Sequence, residues 1–148
     1  MLDRDSLKNY PGRQDLLSRI YDTLGYIANG TNKPHESMKF NGQFLSLRKS
    51  ISLESGVEDF PLAYAHNQMG CARMMAKEYE KGRELFSRAL EIWHNNPQYK
   101  KGLASMEFAN LELSHWLIGK LEEASRVLEE GLKEREEGFG RDNPESFR

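Results

Sequence analysis

The sequence predicts an all-α fold, three antiparallel helix pairs stacked into an α-solenoid. Three observations carry that reading. Apolar residues recur every three or four positions along most of the 148 residues, and no stretch alternates with period two for long enough to make a strand. Clusters of Gly, Pro and Asn fall between the apolar stripes and not inside them. The stripes also repeat: EYEKGRELFSRALEIW at 78–93 returns 42 residues later as KLEEASRVLEEGLKER at 120–135. Fixed-period self-similarity marks a repeat architecture, in which each helix pair hides its apolar face on the next.

The first helix is expected over 13–28, after Pro11-Gly12, with Leu16, Leu17, Ile20, Leu24 and Ile27 as its stripe. NGTNKP at 29–34 ends it, because Asn-Gly is strong turn chemistry. NGT also fits the glycosylation pattern, but the charged start MLDRDSLKNYPGR has no apolar stretch of a secretion signal, so the turn reading is preferred. The second helix, 34–54, carries the looser set Met38, Leu45, Leu47 and Ile51. ESGVEDFP at 54–61 separates it from a third helix at 60–76. The fourth, 78–95, has the cleanest stripe: Leu85, Phe86, Ala89, Leu90 and Trp93, closed by Asn95-Asn96-Pro97. A fifth follows at 101–118. The sixth, 121–137, aligns Leu121, Ala124, Val127, Leu128, Gly131 and Leu132 before GFGRDNP at 138–144. The implied organisation is an extension at 1–12, helix pairs at 13–57, 58–97 and 98–139, and from 140 a tail or the start of a further repeat.

At an offset of 42, Tyr79 maps onto Leu121, Gly82 onto Ala124, Leu85 onto Val127, Phe86 onto Leu128, Ala89 onto Gly131 and Leu90 onto Leu132. The preceding helices follow, with His66 on Phe108, Met69 on Leu111 and Ala72 on Ser114. Upstream the offset is 45, placing Leu24-Gly25 on Met69-Gly70, Tyr21 on His66 and Leu45 on Leu90. The expected repeat core is therefore Leu24, Gly25, Met69, Gly70, Tyr79, Gly82, Phe86, Ala89, Leu90, Leu111, Leu121, Ala124, Leu128 and Leu132. Small members let helices approach and large ones fill the gap, so truncating Phe86 or Leu128 to Ala is expected to cost about 2–5 kcal/mol.

These residues resemble the tetratricopeptide repeat (TPR). That family pairs an apolar residue with Gly in its first helix, here Met69-Gly70. It opens its second with an aromatic, then a small residue, a large apolar one and Ala, here Tyr79, Gly82, Phe86 and Ala89. The third pair departs by placing Glu112 at the glycine, and the first by Pro34, Ser37 and Asn41 where Tyr79, Gly82 and Phe86 stand in the second. The long period and LKEREEGFGRDNP are similar to the kinesin-light-chain subclass, and related arrays occur in large multidomain proteins of filamentous fungi. The resemblance spans about 16–147 and implies a right-handed superhelix with a concave groove lined by the first helix of each pair.

Net charge is −2, which gives no global reason for binding nucleic acid or an anionic membrane, and basic residues do not interleave with aromatics along a helix. Charge is uneven, from +3 over 1–50 to −4 over 101–148, the acidic end being mostly a solvated helix face. No apolar run approaches a membrane span. The single cysteine, Cys71, excludes an internal disulfide, and a cytoplasmic or nuclear setting fits. His35, His66, His94 and His115 lack metal spacing, no Gly-rich phosphate loop is present, and Cys71 has no oriented base. Adjacent glutamates such as Glu122 and Glu123 diverge on a helix. No catalytic residue, metal or cofactor is expected. Of the aromatics Trp93, Tyr99, Phe108 and Trp116, repeat position assigns Trp93 to packing and leaves Trp116 open between packing and groove.

The functional expectation is a scaffold that binds a peptide or domain in the groove. Its lining would be Tyr64, Asn67, Gln68, Cys71, Met74 and Met75 in the second pair; Met106, Ala109, Asn110, Leu113, Trp116 and Leu117 in the third; and Arg19, Asp22, Thr23, Tyr26 and Asn29 in the first. By the resemblance, Asn67, Gln68 and Asn110 would bind the backbone of an extended peptide, since an amide donates and accepts together. A carboxylate clamp is not evident; Arg73 is the nearest cation. The alternative is assembly, with exposed repeat ends stacking on another copy or on further repeats.

Overall fold

A computed structural model describes residues 12–140, and the expectations for 1–11 and for the tail or further repeat over 141–148 lie outside the described residues. Six helices occupy the described chain: α1 Arg13–Gly30, α2 Pro34–Ser55, α3 Phe60–Met75, α4 Tyr79–Asn95, α5 Ser105–Ile118 and α6 Leu121–Phe139. All six match the expected helices. The largest boundary difference is at α5, which starts at Ser105 because 101–104 form turns, with Gly102 held at φ 98°.

Local chemistry sets the boundaries. Asp59 caps α3, its carboxylate accepting from the Leu62 amide at 3.0 Å, with Pro61 in the first turn. Gly56 and Gly119 end α2 and α5 in the left-handed region.

The turn joining the helices of each pair is built three times. Asn32, Lys77 and Gly119 adopt φ of 52°, 61° and 91°. Each donates to the carbonyl three residues back, and the next residue donates five back: Lys33 to Ala28, Glu78 to Arg73, Lys120 to His115. This is the Schellman arrangement, which satisfies helix-end carbonyls. The three turns fall at the sequence offsets of 45 and 42, so the backbone repeats where the side chains do.

Each helix packs against its neighbours in sequence; in addition α1 touches α3 and α3 touches α5. Connections this short make consecutive helices fold back on one another. One apolar cluster gathers Phe44, Leu45, Leu62, Ala65, Met69 and Ile92 around α3, and a second gathers Phe86, Leu90, Ala104, Phe108, Leu111 and Val127 around α4–α6. Trp93 packs against both, stacking on Phe60 at 4.2 Å and meeting Tyr99 edge-on.

Close approach within a pair depends on absent side chains. A Cβ on Gly70 would lie 2.5 Å from the Phe86 ring, and one on Gly25 would lie 2.1 Å from Asn41 Oδ1. Asn41 thus sits over Gly25 as Phe86 sits over Gly70, and the degenerate first pair keeps the repeat geometry with a polar plug. Ser37 Oγ and Asn41 Nδ2 both donate to Asn29 Oδ1, at 2.5 and 2.9 Å.

Three expectations are corrected. The α1 stripe faces inward only in part: Leu17 and Leu24 are half-buried, but Leu16, Ile20 and Ile27 are exposed, and α1 buries Ser18, Gly25 and Ala28. Leu121, Leu128 and Leu132, expected in the core, are exposed because nothing among the described residues covers that side of α6. The cost expected for truncating Leu128 therefore falls away, while Phe86, 1% exposed, keeps about 3–5 kcal/mol. Asn29, expected in the groove, is turned onto α2.

Candidate interaction surface

The first helices α1, α3 and α5 contact in turn, and repeat offsets place Tyr26, Cys71 and Leu113 at one position on them. Tyr26 and Leu113 are exposed and Cys71 is half-buried. Asn29, Met74 and Trp116 share another position. There the first two turn to their own partner helix, Asn29 onto Ser37 and Asn41, Met74 onto the bare Gly82. Trp116 is 60% exposed instead, so it does not pack into the core of the described residues.

The amides behave differently from expectation. Asn67 is wholly buried: its Oδ1 accepts from Asn110 Nδ2 at 2.9 Å, and its Nδ2 faces Met106 Sδ at 3.6 Å. Gln68 is also buried. The expected peptide-binding pair is joined to itself, because α5 lays Met106 and Asn110 across α3 at these residues. What the structure brings together is an α3–α5 amide clasp, buried at Asn67 and half-buried at Asn110, with Cys71 Sγ 3.8 Å from the Asn110 amide. Half-buried Met75 and exposed Ala109, Arg19 and Thr23 complete the expected lining, and the Thr23 hydroxyl donates to the Arg19 carbonyl.

Electrostatics disfavour ionisation along this row. Burial, with Glu107 nearby, pushes the Cys71 thiol up to about 11, so its thiolate is scarce at neutral pH. Burial and the Asp22 carboxylate push the Tyr64 phenol up to about 12. Burial likewise raises the Glu107 carboxyl above its ordinary value. Arg73, the nearest cation, is paired with Glu78 at 3.1 Å. Among the described residues no group of three or more His, Cys, Asp or Glu side chains could hold a metal, and no helix is long and apolar enough to cross a membrane.

The surface left available is on α5. Phe108, Leu111 and Ser114 are buried on one side, while Met106, Leu113, Trp116 and Leu117 stand exposed on the other. Two features escaped sequence reasoning. Glu107 is buried where the offset places Ala65, a mismatch the repeat alignment contains. Glu134 accepts from the Tyr99 hydroxyl and pairs with His94 at 2.6 Å, tying α6 to the end of α4, with no local pattern to signal it.

Fold and surface define a class, an all-helical protein of sequentially packed helices with an apolar strip on its fifth. Compared with models of known protein families and with curated proteins, the chain matches none.

Proposed function

We propose that the chain is a TPR-like module, a right-handed superhelix that holds a protein or peptide along its row of first helices and performs no chemistry itself. A cytoplasmic or nuclear scaffold suits this reading. The recurring Schellman turn and the contacts of α1 with α3 and α3 with α5 support the repeat part of it.

One observation carries the binding part: α5 is apolar on both sides. A surface helix of a globular protein turns a polar face to water, and one apolar all round is normally covered. The outer strip of Met106, Leu113, Trp116 and Leu117 offers exposed apolar surface to a segment of a partner, with Tyr26 at the repeat position of Leu113. Specificity by the Asn67–Asn110 amides is not part of this reading, because they already bond each other.

The test is selection from a displayed peptide library. Wild-type protein should enrich peptides with apolar anchors, and Trp116→Ala with Leu113→Ser should lose them at an unchanged melting temperature. Undiminished capture by the double variant would overturn the reading.

A further inference from the structure

Matched position by position, the helix pairs bury the same sites except at the two ends of the row. On the second helices, Asn41 and Phe86 are 0% and 1% exposed, but Leu128, their equivalent on α6, is 43% exposed. Leu45 and Leu90 are buried; Leu132, at the same position, is not. On the first helices, Ala65 and Glu107 are 0% and 3% exposed, but Ile20, their equivalent on α1, is 42% exposed. Ala72 and Ser114 are fully buried, whereas Ile27 is open.

Inside the molecule these two sets of sites cover each other. α3 packs on α2 and α5 packs on α4. The first helix of each later pair supplies the cover that the preceding second helix needs. At the far end, α5 and α6 leave a cleft floored by Phe108, Val127 and Gly131 and rimmed by Leu128 and Leu132. Among the described residues, the first helix whose covering side is bare is α1.

We propose that this chain associates head to tail, the Ile20–Ile27 side of α1 in one copy seating on the α5–α6 cleft of the next. Charge favours this pairing over tail against tail. Residues 105–139 hold four basic and nine acidic side chains, a net −5; residues 13–55 hold six and four, a net +2. Tail against tail sets two strongly acidic ends together, while head against tail joins opposite signs. Unlike surfaces meet, so each added copy leaves one head and one tail open and the association continues past a dimer. Leu113 and Trp116 take no part, so this inference stands apart from the groove reading.

Sedimentation of the full chain from micromolar to millimolar concentration tests it. Wild-type protein should rise past twice the monomer mass as concentration increases. Ile20→Glu and Leu128→Lys each set a charge into the apolar joint; each alone should stay monomeric. Mixed, they keep one intact tail and one intact head between them and should form a dimer and nothing larger. A wild type that is monomeric throughout, with its ends covered from within its own chain or left bare, overturns the proposal. So does a wild type that stops at a dimer, or a mixture that fails to pair. If either variant loses its helical circular dichroism, Ile27→Glu and Leu132→Lys make the same comparison.

Discussion

His66 is buried in α3 within the influence of Lys49 on α2 and Arg88 on α4, and its Nδ1 finds no hydrogen-bond partner in the structure. Burial first, and those two cations second, lower its pKa from 6.5 to about 4. The folded chain therefore prefers neutral imidazole. Below pH 6.5 the unfolded chain takes up a proton that the folded one refuses, so stability is full above that value. It falls as the pH drops from 6.5 towards 4, by at most about 3 kcal/mol. The repeat names the control: Phe108 and Tyr21 stand at the same position in the other pairs. His66→Phe should flatten this part of the stability profile in thermal melts between pH 7 and pH 4, and an equally steep loss in the variant would rule the assignment out. Neighbouring Cys71 contributes nothing in that range, since its thiol is pushed up to about 11.

At the scale of elements, the three Schellman turns are one device made with three residues. Gly119 adopts the left-handed conformation without Cβ strain, Asn32 tolerates it, and Lys77 pays about 1–2 kcal/mol for it. Lys77→Gly should return part of that strain, offset by the greater freedom of Gly in the unfolded chain. The net gain of about 0.5–1 kcal/mol should raise the melting temperature by about 1–3 °C. A fall would mean that the exposed Lys77 side chain makes contacts worth more than its strain. These turns also show what was legible beforehand. Period 3.6 and the Gly, Pro and Asn breakers are local signals, so all six helices were readable to within a few residues. The internal offset aligned Gly25 with Gly70 and Asn41 with Phe86, but that each large residue lies over its glycine came from the structure. The α1 face was not readable: Leu16, Ile20 and Ile27 form as good a stripe as any, and a stripe does not say whether its cover lies in the same chain. Asn67 was misplaced for a related reason. Its burial depends on Met106 and Asn110 arriving from 39 and 43 residues away, information that no window around Asn67 contains.

At the scale of the whole molecule, a row of stacked pairs holds together only as well as the joints between them. The joint between the two apolar clusters runs through Trp93, which is stacked on Phe60 at the start of α3 and packed against Tyr99 ahead of α5. Beyond it, α6 is held to the end of α4 by Glu134, through His94 and Tyr99, and to the 101–102 turn by the Lys101–Glu137 pair. These outer ties are polar and partly exposed, and exposed ion pairs contribute at most about 1 kcal/mol each. The indole is the large side chain packed against both clusters, and its removal should divide the unfolding reaction as well as weaken it. The chain has two tryptophans, so Trp93→Ala leaves Trp116 of α5 as the sole fluorescent reporter of the last pair. In wild type, urea transitions followed by tryptophan fluorescence and by far-ultraviolet circular dichroism should coincide, as a cooperative unit requires. In Trp93→Ala the total stability should fall by about 3–5 kcal/mol, and the Trp116 signal should change at lower urea than the helical signal. The last pair would unfold first because it is left with the outer ties and the packing of Phe108 and Leu111 on Phe86 and Leu90, against the repulsion of nine carboxylates over four cations at 105–139. Transitions that remain superimposed in the variant would place the coupling elsewhere, in the continuous packing of Phe86 and Leu90 against Phe108 and Leu111.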